Sequence, residues 1–289
     1  MTMNILTFDI EDWYNCDFNT PDYDWDKYEV RIYEGVERIL RELASRDLKA
    51  TFFCLGWVAE KHPEVIRSIY NQGHHIGCHS YQHELSSRFD REGFKNDTEK
   101  SKKLIEDLIG EPIDAFRAPG FSITEQNVWA FEVLAELGFK YDCSIFPASH
   151  DYGGFASYGK AVPSILKLEN GTQLKEFPVN IHPIFGMNIV FSGGGFFRLF
   201  PYSIIRYWAQ RSPYIMSYFH TRDFDPGQPK FKSLPLVRKY KSYVGLSTSF
   251  VKFQTLLDEF KFISVKEANQ LIDWQTVRVF EPKNITGHV

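Results

Sequence analysis

Residues 50–83 read ATFFCLGWVAEKHPEVIRSIYNQGHHIGCHSYQH. Ala50 to Leu55 is a short apolar run of strand type. His62 to Asn71 reads as a helix, with Pro63 tolerated in its first turn and Gly73 as its stop. His75 to Cys78 is strand-like again. The same theme runs outward from this unit. Asn4 to Phe8 reads as a buried strand, and Arg31 to Arg46 carries Val36, Ile39, Leu40 and Leu43 at helical spacing. Asn96 to Ile109 is helical and ends at Gly110. Ala115 to Arg117 is a short strand, and Thr124 caps a helix that runs to Leu137 and stops at Gly138. Lys140 to Ser144, Glu176 to Val179 and Tyr214 to Phe219 read as strands, with Tyr202 to Gln210 as a helix. The tail repeats the theme with a helix near Ser249 to Phe260, a strand near Phe262 to Val265 and a helix near Lys266 to Ile272.

Strand–helix alternation over this length predicts an α/β fold with a parallel sheet, closed into a distorted (β/α) barrel of seven or eight strands. No G-x-G-x-x-G follows the first strand, so a dinucleotide fold has little support. The glycine-rich stretch from Phe146 to Gly195 reads as irregular, and such loops belong to the active face. A single domain over 1–289 is expected, with a C-terminal extension from about residue 227.

Composition narrows the function. The 289 residues include 26 Phe, 15 Tyr and 6 Trp, more aromatic surface than a core needs. Lys and Arg number 33 against 37 Asp and Glu, a net charge of −4, which weighs against a nucleic-acid partner. The N-terminus MTMNILTFDIEDWY lacks the basic and apolar regions of a signal peptide, and no run is long enough for a transmembrane segment. The expected location is therefore cytoplasmic. Cys16, Cys54, Cys78 and Cys143 form no C-x-x-C pair, so no disulfide framework is expected.

Four strand ends carry candidate chemistry. The first strand ends in Asp9-Ile10-Glu11-Asp12, and alternation puts Asp9 and Glu11 on one face. The third ends in His79-Ser80-Tyr81-Gln82-His83, two histidines that can close on one cation from a turn. In a parallel barrel all strand C-termini meet on one face, so these histidines and a carboxylate can form a metal set with open positions. Arg117 ends another strand and can orient a carboxylate bidentately. His220 leaves the apolar run Tyr218-Phe219 as a candidate general acid.

In this order, the motifs TFDIED, HSYQH, RAPGFS and YFH resemble the polysaccharide deacetylases, the NodB-homology domain or carbohydrate esterase family 4. The resemblance runs from about Asn4 to about Pro226. It implies a metal-dependent hydrolase that removes an N-acetyl group from an amino sugar in a bacterial polysaccharide or its precursor. By that resemblance Asp9 matches the general base, Arg117 the residue that orients it, and His220 the general acid. His79 and His83 match two metal ligands, and the backbone N–H at Gly120 or Phe121 matches the oxyanion donor. Asp142, in Tyr141-Asp142-Cys143-Ser144, falls where the family has a motif that shapes the groove and supports the acid histidine. Trp13 is expected in the substrate groove. The implied cofactor is one divalent ion, Zn²⁺ first, with Co²⁺, Ni²⁺ and Mn²⁺ as alternatives. The implied partner is an N-acetylated sugar or oligosaccharide, and the oligomeric state is not readable.

Two departures stand out. The family writes its first motif with two adjacent aspartates, whereas D-I-E-D leaves the carboxylate ligand as Glu11 or Asp12. The groove motif also lacks its usual tryptophan. The segment SGGGFFRLFPY from Ser192 to Tyr202, with DFDPGQP from Asp223 to Pro229, resembles a subgroup found with bacterial surface-polysaccharide and exopolysaccharide clusters. Two other readings compete: a glycoside hydrolase using a carboxylate pair, and a non-catalytic carbohydrate-binding relative. Trp13, Tyr14, Phe121, Phe146, Tyr152, Phe196, Phe197 and Phe219 follow or flank the motifs, and several of them are expected to rim the site.

Overall fold

Thr7–Ile10, Thr51–Cys54 and His75–Cys78 are short, mostly apolar runs, polar chiefly at Thr7, Asp9, Thr51 and His75, and buried at every position but His75, as strands covered on both faces must be. In the computed structural model, which describes residues 2–15, 23–184, 186–231 and 234–283, they form the middle of the sheet. The elements run β1 (Met3–Ile5), β2 (Thr7–Ile10), α1 (Ile32–Ala44), β3 (Thr51–Cys54), α2 (Gly56–Lys61), α3 (Pro63–Asn71), β4 (His75–Cys78), α4 (Arg91–Ile109), β5 (Ala115–Phe116), α5 (Trp129–Glu136) and β6 (Tyr141–Asp142). Two hairpins follow, β7 (Ser164–Lys167) with β8 (Gln173–Glu176), and β9 (His182–Ile184) with β10 (Met187–Ile189). The rest is α6 (Gly194–Leu199), α7 (Tyr202–Ala209), β11 (Tyr214–Met216), β12 (Phe219–His220), α8 (Leu236–Tyr243), α9 (Leu246–Glu259), α10 (Val265–Leu271) and β13 (Arg278–Phe280).

The main sheet has the order β12-β2-β3-β4-β5-β6-β8-β7-β13 and is parallel except between β7 and β8. In a flat sheet β2 and β5 would lie about 14 Å apart, with side chains standing perpendicular to the sheet and parallel to one another. Yet Arg117, next after β5, reaches both Thr7 and Asp9 of β2. The sheet therefore curls, as the distorted barrel requires. Its far side is joined by side chains. The Met216 N–H donates to Asn180 Oδ1 at 2.9 Å, and the Tyr214 hydroxyl donates to the Pro178 carbonyl at 2.8 Å.

The structure departs from expectation in the chain's second half. The stretch expected to be irregular holds both hairpins. The expected strand Phe262–Val265 is reduced to one parallel bridge, Ile263 to Ile5. Thr124 closes a local turn with Asn127 instead of capping α5. Helix α4 starts earlier than expected, where Asp90 accepts from the Gly93 N–H at 2.7 Å. Cys54, Cys78 and Cys143 are free, buried thiols, and Cys16 lies outside the described residues. No helix among the described residues is long and apolar enough to cross a membrane.

Candidate active site

The C-terminal ends of β2, β4, β5 and β12 deliver the polar side chains. His220 lies in register beside Asp9 across the β12–β2 ladder. After β4 the chain turns sharply: Ser80 (φ 65°) and His83 (φ 56°) both take the left-handed conformation that non-glycine residues avoid. The Ser80 hydroxyl accepts from the His83 N–H at 3.0 Å and fixes this turn. It brings the two imidazoles to ring centroids 5.2 Å apart. Glu11 is anchored by its own carbonyl, which accepts from the Thr221 hydroxyl.

Glu11, His79 and His83 each offer a ligand atom, all within 4.8 Å of one another, and all three residues are buried. His79 Nδ1 lies 2.8 Å from the Arg117 carbonyl. A carbonyl only accepts, so Nδ1 carries the proton and Nε2 keeps its lone pair. Burial pushes the His79 pKa down to about 4, so the ring is neutral near pH 7. His79 Nε2 is buried and has no hydrogen-bond partner among the described residues. Burial alone would raise the Glu11 pKa. The charge of His83 and its contact at 2.8 Å, aided by His220 and His79, instead hold the carboxyl well below the usual range. An orphaned imidazole nitrogen beside a second imidazole and an ionised carboxylate fits a divalent cation.

Arg117 is fully buried and gives one Nη1 to both Asp9 Oδ1 and Thr7 Oγ1 at 2.8 Å. Its guanidinium lies 4.3 Å over the Phe53 ring. Asp9 Oδ2 faces His220 Nε2 at 3.8 Å, the same distance at which Glu11 Oε1 stands from that nitrogen. The other His220 nitrogen, Nδ1, is held by Asp223 Oδ2 at 3.1 Å. Asp223 Oδ1 forms an ion pair with Arg198 Nε at 3.0 Å, both side chains being buried. Burial lowers the His220 pKa, but the Asp223 hydrogen bond and charge, then Glu11 and Asp9, outweigh it and raise it to about 9. Burial raises that of Asp223, and Arg198 and His220 bring it below its ordinary value.

Several expected site residues lie elsewhere. Asp12 stays out of the cluster: its carboxylate accepts from the N–H groups of Trp13, Arg31 and Ile32 at the start of α1. Trp13 is buried, donates its indole N–H to the Glu29 carbonyl, and packs on Phe231 at 4.7 Å. Asp142 does not reach His220. It accepts from the Ser144 hydroxyl at 2.6 Å and shares a hydrogen bond with Glu176, its neighbour in register on β8. Burial pushes both of these carboxyls up. The Phe121 N–H is spent on the Ala118 carbonyl, which leaves the Gly120 N–H as the candidate oxyanion donor of the two. Tyr14, Phe197 and Phe219 are core residues. Tyr152 stands beside Gly120, and Phe121 meets Tyr218 edge-on at 5.2 Å. Tyr218 in turn lies edge-on to His220 at 5.7 Å. Gly193 is required where it is, because a Cβ there would stand 1.8 Å from the Tyr218 carbonyl oxygen.

Asp223 and Arg198 were not singled out from the sequence. The i, i+3 spacing of His220 and Asp223 is a legible capping signal. The pairing with Arg198, 25 residues earlier, leaves no local trace. Together the groups can bind a cation, take up a proton at Asp9 and deliver one from His220.

Known proteins resemble this chain in sequence and in fold. A family model described as polysaccharide deacetylase matches residues 5–141, and one described as a domain of unknown function, DUF3473, matches residues 143–270. A peptidoglycan-N-acetylglucosamine deacetylase of Bacillus cereus is 35% identical over 100 residues, covering 34% of this chain and 36% of that protein. A peptidoglycan deacetylase of Helicobacter pylori is 32% identical over 111 residues, covering 38% and 37%. The chain thus spans little more than a third of the length of these relatives. The crystal structure of a protein described as a polysaccharide deacetylase from Mycobacterium smegmatis superposes with a TM-score of 0.65 at 20% identity, covering 99% of this chain and 94% of that one. That likeness speaks to the fold.

Proposed function

Because residues 5–141 of this chain belong to the polysaccharide deacetylase family, the NodB-homology or carbohydrate esterase family 4 group, we propose that the protein is a metal-dependent N-deacetylase. Its substrate in this reading is an amino sugar of a bacterial polysaccharide or polysaccharide precursor, and acetate is the product. The observation that carries the reading is the buried Glu11–His79–His83 cluster, with Asp9 and His220 Nε2 beside it. The segments SGGGFFRLFPY and DFDPGQP favour a surface polysaccharide or exopolysaccharide. In this reading the chain acts as one unit: the part after residue 143 supplies His220, 3.8 Å from Asp9 of β2, and the Asp223–Arg198 pair that holds it.

Glu11, His79 and His83 would hold one divalent ion, Zn²⁺ or alternatively Co²⁺, Ni²⁺ or Mn²⁺. When bound, such an ion lowers the pKa of water and polarises a carbonyl. Arg117 holds Asp9 by Oδ1 and leaves Oδ2 to accept the proton of the attacking water. The Gly120 N–H donates to the oxygen on which negative charge develops. Asp223 holds His220 through Nδ1, so the proton delivered to the leaving nitrogen comes from Nε2. An amide nitrogen leaves poorly as an anion, which makes this proton essential. Activity needs an ionised Asp9 and a protonated His220, so its pH profile is bell-shaped.

The test is His79→Ala and His83→Ala, with metal content by atomic emission and product by mass spectrometry. Loss of metal together with loss of deacetylated product is expected. Full metal content with full turnover in either variant would remove the assignment.

A further inference from the structure

From Phe177 to Leu257 the sequence holds ten of the chain's 33 basic residues but only two of its 37 acids, Asp223 and Asp225. Both acids are buried and occupied. Asp223 serves Arg198 and His220, and Asp225 takes Arg31 by both oxygens, at 2.5 and 3.0 Å. Among the ten bases Arg198 and Arg222 are buried and Arg206 pairs with Glu259, so the exposed charge is concentrated in the part of this segment that carries Arg238, Lys239 and Lys241 and no acid.

Helix α8 lies within it and exposes apolar residues to an unusual degree: Leu236 is 85% exposed, Val237 68% and Tyr240 60%. At about 100° per residue these three fall on one face. Lys241 then borders that face on one side and Lys239 on the other. Long cationic stems beside an apolar stripe are the pattern of a helix lying in a membrane interface, apolar face down and charges at headgroup level. The neighbouring α6 is tied to the end of α8, as Arg198 donates to the Ser242 carbonyl at 2.7 Å and the Lys241 carbonyl at 3.1 Å. It exposes Phe196 and Leu199 as well.

We propose that α8, with α6, is a docking surface for a bilayer carrying anionic headgroups. Charge decides between occupants. A second copy in a two-fold contact would set the same cations against one another. Nucleic acid would use the cations but gains little from exposed Leu236 and Val237. Anionic lipid uses both. The surface adjoins the candidate active site: Phe231, just before α8, packs on Trp13, two residues after Glu11, and Arg198 of α6 pairs with the Asp223 that holds His220. Docking would set the site beside the membrane, within reach of lipid-linked or membrane-proximal saccharide. The docking itself does not depend on the deacetylase reading.

The test is co-sedimentation of the full chain with vesicles of phosphatidylcholine alone or with one third phosphatidylglycerol, at low and high salt. The wild type should pellet with the anionic vesicles only, and less so at high salt. Lys239→Glu with Lys241→Glu should weaken partition at least about 25-fold, taking about fivefold per cation lost near the surface. Leu236→Ser, Val237→Ser and Tyr240→Ser combined should also release the protein. Leu236, Val237, Tyr240 and Lys241 are exposed and Lys239 is half-buried at the surface, and both variants should melt as the wild type does. The proposal is overturned if the wild type stays in the supernatant, or if it pellets and neither variant is weakened. It is also overturned if sedimentation equilibrium shows a dimer that the serine variant dissolves.

Discussion

Asp223→Asn keeps the shape of the side chain that holds His220 and removes its charge. His220 stands at about 9 instead of its ordinary 6.5 chiefly through Asp223, against burial that pulls the other way. That difference corresponds to about 3 kcal/mol between the two protonation states. With Asp223 neutral, burial opposes only the shares of Glu11 and Asp9, and the imidazole returns toward its ordinary 6.5. At pH 8 the protonated fraction then falls from roughly nine-tenths toward about 3%, while at pH 6 most of it remains in both proteins. The wild-type to variant ratio of kcat/KM should therefore grow by up to roughly 25-fold between pH 6 and pH 8. A cation on Glu11 would cancel that carboxylate's share and lower the alkaline limb of both proteins, leaving the Asp223 share between them. Stability should follow the same sign. A raised histidine stabilises the fold fully below pH 6.5, and that contribution is lost as pH rises through about 9. The wild-type melting temperature should thus fall across this window more steeply than that of the variant. Identical alkaline limbs in the two proteins would refute the role given to Asp223.

Other consequences follow from particular contacts. Asp12→Ala should cost about 0.5–2 kcal/mol in chemical denaturation, as a lost helix cap does, and leave metal content unchanged. Glu11→Gln should lose the metal, which separates the two neighbouring acids by one elemental analysis. Arg117→Met strands Asp9 in a buried site and should cost about 3–5 kcal/mol of stability as well as activity. Burial, then the charge of the neighbouring Asp142, raises the Glu176 pKa well above its ordinary value, which favours the protonated carboxyl that Gln resembles. Glu176→Gln is therefore close to isosteric and should shift stability by no more than about 1 kcal/mol, read from the denaturation midpoint.

The parallel half of the fold was plain in the sequence because its strands are buried on both faces. Ile76–Cys78 reads as a short apolar run, and α1 shows its inward stripe at Val36, Ile39, Leu40 and Leu43. The hairpins were hidden for the opposite reason. In β8 the polar Gln173 and Lys175 alternate with Leu174 and Glu176, and the buried position at Glu176 is itself an acid. The site followed the same division. Asp9, His79, Arg117 and His220 end recognisable strands, so topology alone gathers them. Between Glu11 and Asp12, alternation along the strand favours Glu11 and a relaxed loop would favour Asp12, so the choice turns on where the backbone bends after Ile10. Asp12 is drawn off by the open N–H groups of α1, and Glu11 remains facing the histidines. Trp13 looked like a groove residue by adjacency, yet the same bend carries it into the aromatic core with Tyr28 and Phe231. Asp142 sat in the expected motif, but its hydrogen bonds go to Ser144 and Glu176, and Asp223 holds His220 in its place.

Acetate release from a panel of N-acetylated oligosaccharides, followed before chelation, after it, and after Zn²⁺ is returned, bears most directly on the deacetylase assignment. Release that stops on chelation, recovers with the metal and is absent from His79→Ala is the expected result. Acetate release indifferent to the chelator, or new reducing ends without acetate, would contradict it.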